Sequence, residues 1–241
     1  MNRYLVPICA SLGAIGFVLT IWMIFNSTPT QVDYQTDEGH VFLSGSSLFF
    51  NQKIFYYHVP HAFMLFAAVA TSGIASILFL TKRVQKWDDI ALATAEVAAV
   101  FGAVVLVTGS IWAKVAWDRW WIWEKRLTMS LLLWLTLIGY VLVRRFAGAS
   151  ADRLASGMAV FAMITLPFIY FMVGADDSHP QAGPDGNVAT QDPRMRPTFY
   201  LSVLTFLLWF VALAAARIRG VRMEREVREL RERGLDAGVL A

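Results

Sequence analysis

Apolar residues in this chain come in long unbroken runs, not in the alternating or one-faced patterns of a soluble fold. Six runs lie near residues 4–25, 57–80, 90–111, 127–143, 154–173 and 199–216. Each reaches or approaches the roughly 20 helical residues needed to cross a hydrocarbon core of about 30 Å. Lipid offers no partner to a bare backbone N–H or C=O, so only helices and closed barrels span it. Continuous apolarity selects helices. The pattern predicts an all-α integral membrane protein of six transmembrane helices, with a membrane domain over 1–216 and a polar tail over 217–241.

Composition supports this. The chain is 57% hydrophobic and 16% charged, against about 25% charged in soluble domains, and its mean hydropathy is +0.52. The first run, Tyr4 to Phe25, is too long for a signal-peptide core and no small-x-small cleavage site follows it, so it is expected to remain as a helix. Basic residues set the expected orientation. Grouping the N-terminus with 81–89, 144–153 and 217–241 puts 14 of the 21 Lys and Arg on one side. That excess marks the cytoplasmic face, so both termini are expected inside. The loops 26–53 and 174–198, and the segment between the third and fourth runs, are expected outside. In a bacterium with two membranes that side is the periplasm.

The outward segment between the third and fourth runs carries five of the nine tryptophans: Trp112, Trp117, Trp120, Trp121 and Trp123. Taken as one helix lying in the interface, residues 112–126 place these side chains at about 0°, 140°, 80°, 180° and 20°, all on one half of the surface. Lys114, Arg119, Lys125 and Arg126 fall on the other half, while Glu124 lands within the aromatic arc. The ordinary alternative is an aromatic belt, since Trp is enriched at membrane interfaces. A belt is spread over many helix ends, however, and Trp22, Trp87, Trp134 and Trp209 are available to form one. A concentrated Trp cluster suits a large, flat, partly polar ligand.

Two of the four histidines are predicted on the same face. His58 stands in Phe55-Tyr56-Tyr57-His58-Val59-Pro60-His61, at the outward end of the second run, and His179 follows the fifth run. Neutral imidazole is the usual protein ligand of haem iron. Two of them on separate loops can fill both axial positions of one iron, with the Trp surface against the porphyrin. The bland alternative for each is a carbonyl- or water-bonded interfacial His. His61, at i+3 from His58, shares its face; His40 lies in a polar loop. Zinc is less well supported, because no outward cysteine and no H-E-x-x-H occurs. Arg126 leads the candidates for a ligand's carboxylates, because guanidinium pairs bidentately with them. Its alternative role, like that of Arg119, Lys114 and Lys125, is to snorkel to the headgroups.

Cys9, the sole cysteine, forms no intrachain disulfide, and there is no C-x-x-C-H for covalent haem attachment. Glu96, two turns into the third run, is expected to bond a neighbouring helix or to snorkel. The tail is rich in i, i+4 Glu/Arg pairs, with a short apolar stripe of Met223, Val227 and Leu230.

The motifs resemble those of the CcmC-type haem-handling proteins of cytochrome c maturation. That family carries a segment close to T-G-S-I-W-x-K-x-x-W-x-x-W-W-x-W-D-x-R-L-T. It is matched here by Thr108-Gly109-Ser110-Ile111-Trp112, Lys114, Trp117, Trp120-Trp121, Trp123-Glu124 and Arg126-Leu127-Thr128, with Glu124 in place of Asp. The family's first His lies in I-x-Y-x-H-V-P, matched by Ile54 through Pro60; its second lies after the fifth helix, where His179 stands. Around His179 the match departs from the family, with Asp176-Asp177-Ser178 before it and Pro180 before Gln181. The resemblance covers nearly the whole chain.

The resemblance implies haem b held non-covalently and transiently, with His58 and His179 as axial ligands. It implies a Trp-rich platform of Trp112, Trp117, Trp120, Trp121 and Trp123, with Glu124 and Arg126 beside it. It further implies delivery to a membrane-anchored, CcmE-like haem chaperone, without bond-making by this chain, in a bacterial inner membrane. The usual companions are an ATP-binding cassette pair, CcmA and CcmB, and a small CcmD-like helix, with no nucleic acid. Haem–cytochrome c synthetase subunits of the CcmF or CcsA type share the Trp motif but are longer, with more helices and more membrane histidines. A b-type electron-transfer subunit would need His pairs facing one another mid-membrane, and none of the six predicted spans holds one.

Overall fold

The computed structural model describes residues 3–26, 34–37, 40–43, 48–147, 151–171 and 195–238. Six helices carry the fold: α1 (Leu5–Asn26), α2 (Leu48–Lys82), α3 (Gln85–Trp117), α4 (Lys125–Phe146), α5 (Ala151–Phe171) and α6 (Arg196–Asp236). All six are long and apolar enough to cross a membrane, as the hydrophobic pattern predicts. The protein is a multi-pass membrane protein. Between α1 and α2 the chain adds an antiparallel hairpin, β1 (Tyr34–Asp37) and β2 (His40–Leu43), with Tyr34 opposite Leu43. Four-residue strands are too short to stand out in a hydropathy pattern.

The helices are longer than the apolar runs because polar residues extend them beyond the expected boundaries. α2 begins at Leu48 and runs straight through Pro60, so His58 sits on a helix and not at a helix end or on a loop. Proline has no N–H to bond the carbonyl four residues earlier. That carbonyl, on Tyr56, accepts instead from the Ser202 hydroxyl of α6. In lipid a carbonyl left without a partner would cost several kcal/mol (roughly,), so Ser202 is what lets Pro60 stand inside the span. α2 and α3 are joined by Arg83, in the left-handed region at φ 55°, and Val84. α6 continues unbroken past the membrane stretch and through the whole Arg/Glu-rich segment to Asp236.

Packing inside the bundle relies on small residues and on Trp as a filler. Without a hydrophobic drive in lipid, helices associate by close van der Waals fit and inter-helix hydrogen bonds. Ala68 and Ala75 of α2 and Ala91, Ala95 and Ala98 of α3 are all buried. A Cβ added at Gly73 would stand 2.5 Å from Met163 of α5, and one at Gly102 2.7 Å from the ring of Trp134 of α4. Trp134 also donates its indole N–H to Ala99 O at 2.9 Å. Trp209 of α6 lies over Gly13 of α1. Two of the tryptophans expected in an aromatic belt are therefore helix-packing residues, because each lies opposite a glycine. Trp22 stays exposed.

The two ends of the bundle differ. One end gathers the start of α3, the end of α4, the start of α5 and the lower part of α6, and it is held by ions. Asp88, 2% exposed, pairs with Arg144 at 2.6 Å, and Arg144 also bonds Asp152. Glu96 pairs with Arg217, which reaches Glu224 at 2.6 Å, and Asp89 pairs with Arg225 at 2.7 Å. Glu96 thus bonds a neighbouring helix, as expected, and its partner opens the polar tail. The opposite, aromatic end carries His58 and the Trp segment.

Candidate functional site

The Trp segment is not one interfacial helix. Trp112 and Trp117 complete the last turns of α3, which stops at Asp118 in the left-handed conformation, φ 56° and ψ 23°. Among non-glycine residues Asp tolerates that conformation better than most. Lys114 reinforces the stop, donating to the Asp118 backbone oxygen at 3.2 Å and to its carboxylate at 2.5 Å. The ammonium holds the Asp118 carboxyl below the usual carboxylate range. Residues 119–124 are irregular, and Glu124 stands at the N-cap of α4 with an extended backbone.

Trp120, Trp121 and Trp123 therefore ride on a connector between two helix ends. This gives two edge-to-face pairs instead of a single stripe. Trp112 meets Trp117 at 4.8 Å between centroids, and Trp121 meets Trp123 at 5.8 Å. Trp120 and Trp123 are 62% and 76% exposed, broad apolar faces standing open where helix packing has no use for them.

His58 is seated by α3. Its Nδ1 lies 2.9 Å from Thr108 Oγ1. The Thr108 hydroxyl has one proton, and it is donated to Val104 O at 2.7 Å. Thr108 Oγ1 therefore accepts from His58 Nδ1–H, and the imidazole lone pair falls on Nε2. A metal ligated by His58 in this tautomer is bound through Nε2, with Thr108 as the outer partner that orients the ring. Gly109 makes room: a Cβ there would stand 3.1 Å from His58 Cε1. Trp112 is one turn beyond Thr108 on the same face of α3, about 6 Å along the axis. Thr108 and Gly109 are thus the residues that position His58, a role sequence reasoning did not give them although both lie within the Trp motif.

Two donors near the start of α4 lack partners. The Trp121 indole N–H is buried and meets no acceptor among the described residues. Arg126, partly buried in the first turn of α4, makes no hydrogen bond or ion pair among them either. A buried donor without an acceptor costs about 1–3 kcal/mol, and a guanidinium more, so this face suits a ligand bearing carboxylates. Lys114 is committed to Asp118, and Arg119 and Lys125 are exposed.

Of the other histidines, His61 lies one turn deeper in α2 and bonds the Tyr57 carbonyl. This places it within the apolar span of α2, one turn beyond His58 as the sequence spacing predicts. His40 lies in β2. His179 lies outside the described residues. The described residues hold no group of three or more His, Cys, Asp or Glu able to bind a metal ion together.

These features define a multi-pass helical membrane protein that presents an aromatic, donor-bearing surface at one end, with a ligand-competent histidine beside it. The family model described as CcmC, heme exporter protein C, matches residues 1–233. The chain belongs to that family, whose work is haem handling for cytochrome c biogenesis. The heme exporter protein C of Escherichia coli strain K12 is 29% identical over 217 residues, covering 88% of this chain and 82% of that protein. The heme exporter protein C of Paracoccus denitrificans is 31% identical over 173 residues, covering 69% and 71%. A ccmC-like mitochondrial protein of cytochrome c biosynthesis from Marchantia polymorpha is 32% identical over 171 residues, covering 71% and 65%.

Proposed function

We propose that this protein holds haem b, non-covalently and transiently, at the outer face of a bacterial inner membrane and hands it to a CcmE-like haem chaperone. The observation that carries the reading is the contact of His58 Nδ1 with Thr108 Oγ1, one turn from Trp112, which directs Nε2 to a ligand. A flat ligand lying on the tryptophans meets the Nε2 lone pair if it brings an iron at its centre. In this reading His58 and His179 are the axial ligands. Trp112, Trp117, Trp120, Trp121 and Trp123 cover the ring, and Arg126 with the Trp121 N–H receives the propionates. Glu124, at the α4 N-cap, lies between Trp123 and the helix that carries Arg126. Haem is cargo, and the chain makes or breaks no bond in it.

Such a site must hold and also release. The two histidines stand on different segments, with His58 on α2 and His179 beyond α5, so one ligand can leave while the aromatic surface keeps the ring. The excess of Lys and Arg at the ion-paired end supports a cytoplasmic position for both termini. CcmA, CcmB and a CcmD-like helix are the expected companions. The test is chaperone loading in cells with His58→Ala. The reading predicts loss of haem from the purified protein and loss of covalently loaded chaperone; unchanged haem content and loading would refute it.

A further inference from the structure

A cavity of about 280 Å³ opens between α1, α2, α3 and α6, one turn deeper in the bundle than the seat of His58. Phe17, Phe101 and Phe206 form its walls, and Val100 and Leu213, 60% and 40% exposed, stand at its mouth. His61 and Trp209 are the two polar side chains in the lining. His61 is eight residues beyond Lys53, where the apolar part of α2 begins, or roughly 12 Å along the axis, so the mouth faces lipid and not headgroups.

Both polar groups have one definite hydrogen-bonding role left. A carbonyl oxygen only accepts, so the 2.6 Å contact to Tyr57 O fixes the proton of His61 on Nδ1 and leaves Nε2 an acceptor. Nothing among the described residues donates to it. The Trp209 indole N–H is a donor, and nothing among the described residues accepts from it. Lipid supplies no partner for either, and unpaired polar groups at this depth are costly. An apolar chamber with one acceptor and one donor calls for a lipophilic ligand that carries both complements.

We propose that this chamber binds the headgroup of a lipid-soluble hydroxyarene of the quinol type, with its hydroxyl donating to His61 Nε2 and an oxygen accepting from Trp209 Nε1–H. The aromatic walls take the ring, and the mouth between Val100 and Leu213 lets an alkyl or isoprenoid tail run out into the bilayer. At about 280 Å³ the chamber lies just under the range of roughly 300–1,000 Å³ occupied by drug-sized ligands, which suits one ring and not a four-ring macrocycle. The site is separate from the haem surface and stands whether or not that reading holds.

The test uses the full-length protein in quinone-free lipid nanodiscs, titrated with decyl-ubiquinone and decyl-ubiquinol and followed by quenching of tryptophan fluorescence. Saturable binding of the quinol is expected in the wild type, tighter than that of the quinone, which has no hydroxyl to donate, and weakened at least tenfold in His61→Phe and several-fold in Trp209→Phe. Decylbenzene, which has the tail and ring without oxygens, should not compete. Thermal unfolding of the same samples reports that each variant is folded. Equal binding by wild type and both variants would overturn the proposal, as would full competition by decylbenzene. A His61→Phe variant that loses haem absorbance while its quinol binding is unchanged would overturn it too, assigning His61 to iron.

Discussion

Thr108→Val probes the seat of His58 without touching a residue that would meet haem. Valine keeps the volume and shape of threonine, so the packing of α2 on α3 is preserved, and the 2.7 Å bond to Val104 O is lost along with the hydroxyl. The 2.9 Å acceptor for His58 Nδ1–H disappears at the same time. A part-buried N–H without an acceptor costs about 1–3 kcal/mol. The ring relieves that cost by moving its proton to Nε2 or by turning, and either response removes the lone pair from the position where iron is expected. One unit of 1.4 kcal/mol is about tenfold in an equilibrium constant, so the expected loss of haem affinity is roughly 5- to 100-fold, in line with other outer partners of metal-bound histidines. The assay is haem titration of the purified protein by Soret absorbance, together with the rate of haem loss to an excess of apomyoglobin. Thr108→Ser restores the hydroxyl and should recover most of the affinity. Wild-type affinity in Thr108→Val, in the same experiment where His58→Ala loses haem, would refute the idea that Thr108 fixes the ligand.

Other outcomes follow from the same structure. Arg126→Gln should release haem about tenfold faster with little change in fold stability, because among the described residues Arg126 makes no hydrogen bond or close ion pair and only Glu124 acts on it electrostatically; a change in melting temperature without a change in release would show it to be structural. Asp88→Asn breaks a pair whose side chains are 2% and 10% exposed and leaves Arg144 short of a counter-charge, so it should lower stability by about 3 kcal/mol in thermal unfolding, with the haem spectrum unaltered below the transition. Asp118, held below the usual carboxylate range by Lys114, contributes stability above the unfolded carboxyl value near about 4 and loses it as pH falls through the lower folded value. Asp118→Asn should therefore differ from wild type at neutral pH and converge with it in strong acid, by an amount kept small by exposure and seen in acid-unfolding curves.

The six spans were legible because each is a long apolar run that lipid forces into a helix. The boundaries were not. Asn51, Gln52 and Lys53 make the start of α2 look like loop, yet the helix begins at Leu48. Treating 112–126 as a single helix failed at Asp118, where a left-handed residue and a lysine clasp end α3; a lone Asp-Arg pair carries too little local signal to show that. The Trp cluster and His58 stood out by residue type and spacing. Their supports did not, since Thr108 meets His58 across 50 residues and Arg144 meets Asp88 across 56, and a single sequence does not show such pairings. Pro60 reads as a helix breaker until Ser202 is seen to take the carbonyl it abandons. The misassigned tryptophans have the same origin: Trp134 and Trp209 became packing residues because Gly102 and Gly13 stand opposite them.

The most direct test of the haem reading is the absorption spectrum of the detergent-purified protein from haem-replete cells, wild type beside His58→Ala and His179→Ala. The account predicts a low-spin, two-histidine spectrum in the wild type. Each substitution should alter it, and added imidazole should restore it in part. A colourless wild type that also fails to take up added haem would contradict the account and leave the tryptophans as an anchor at the membrane surface.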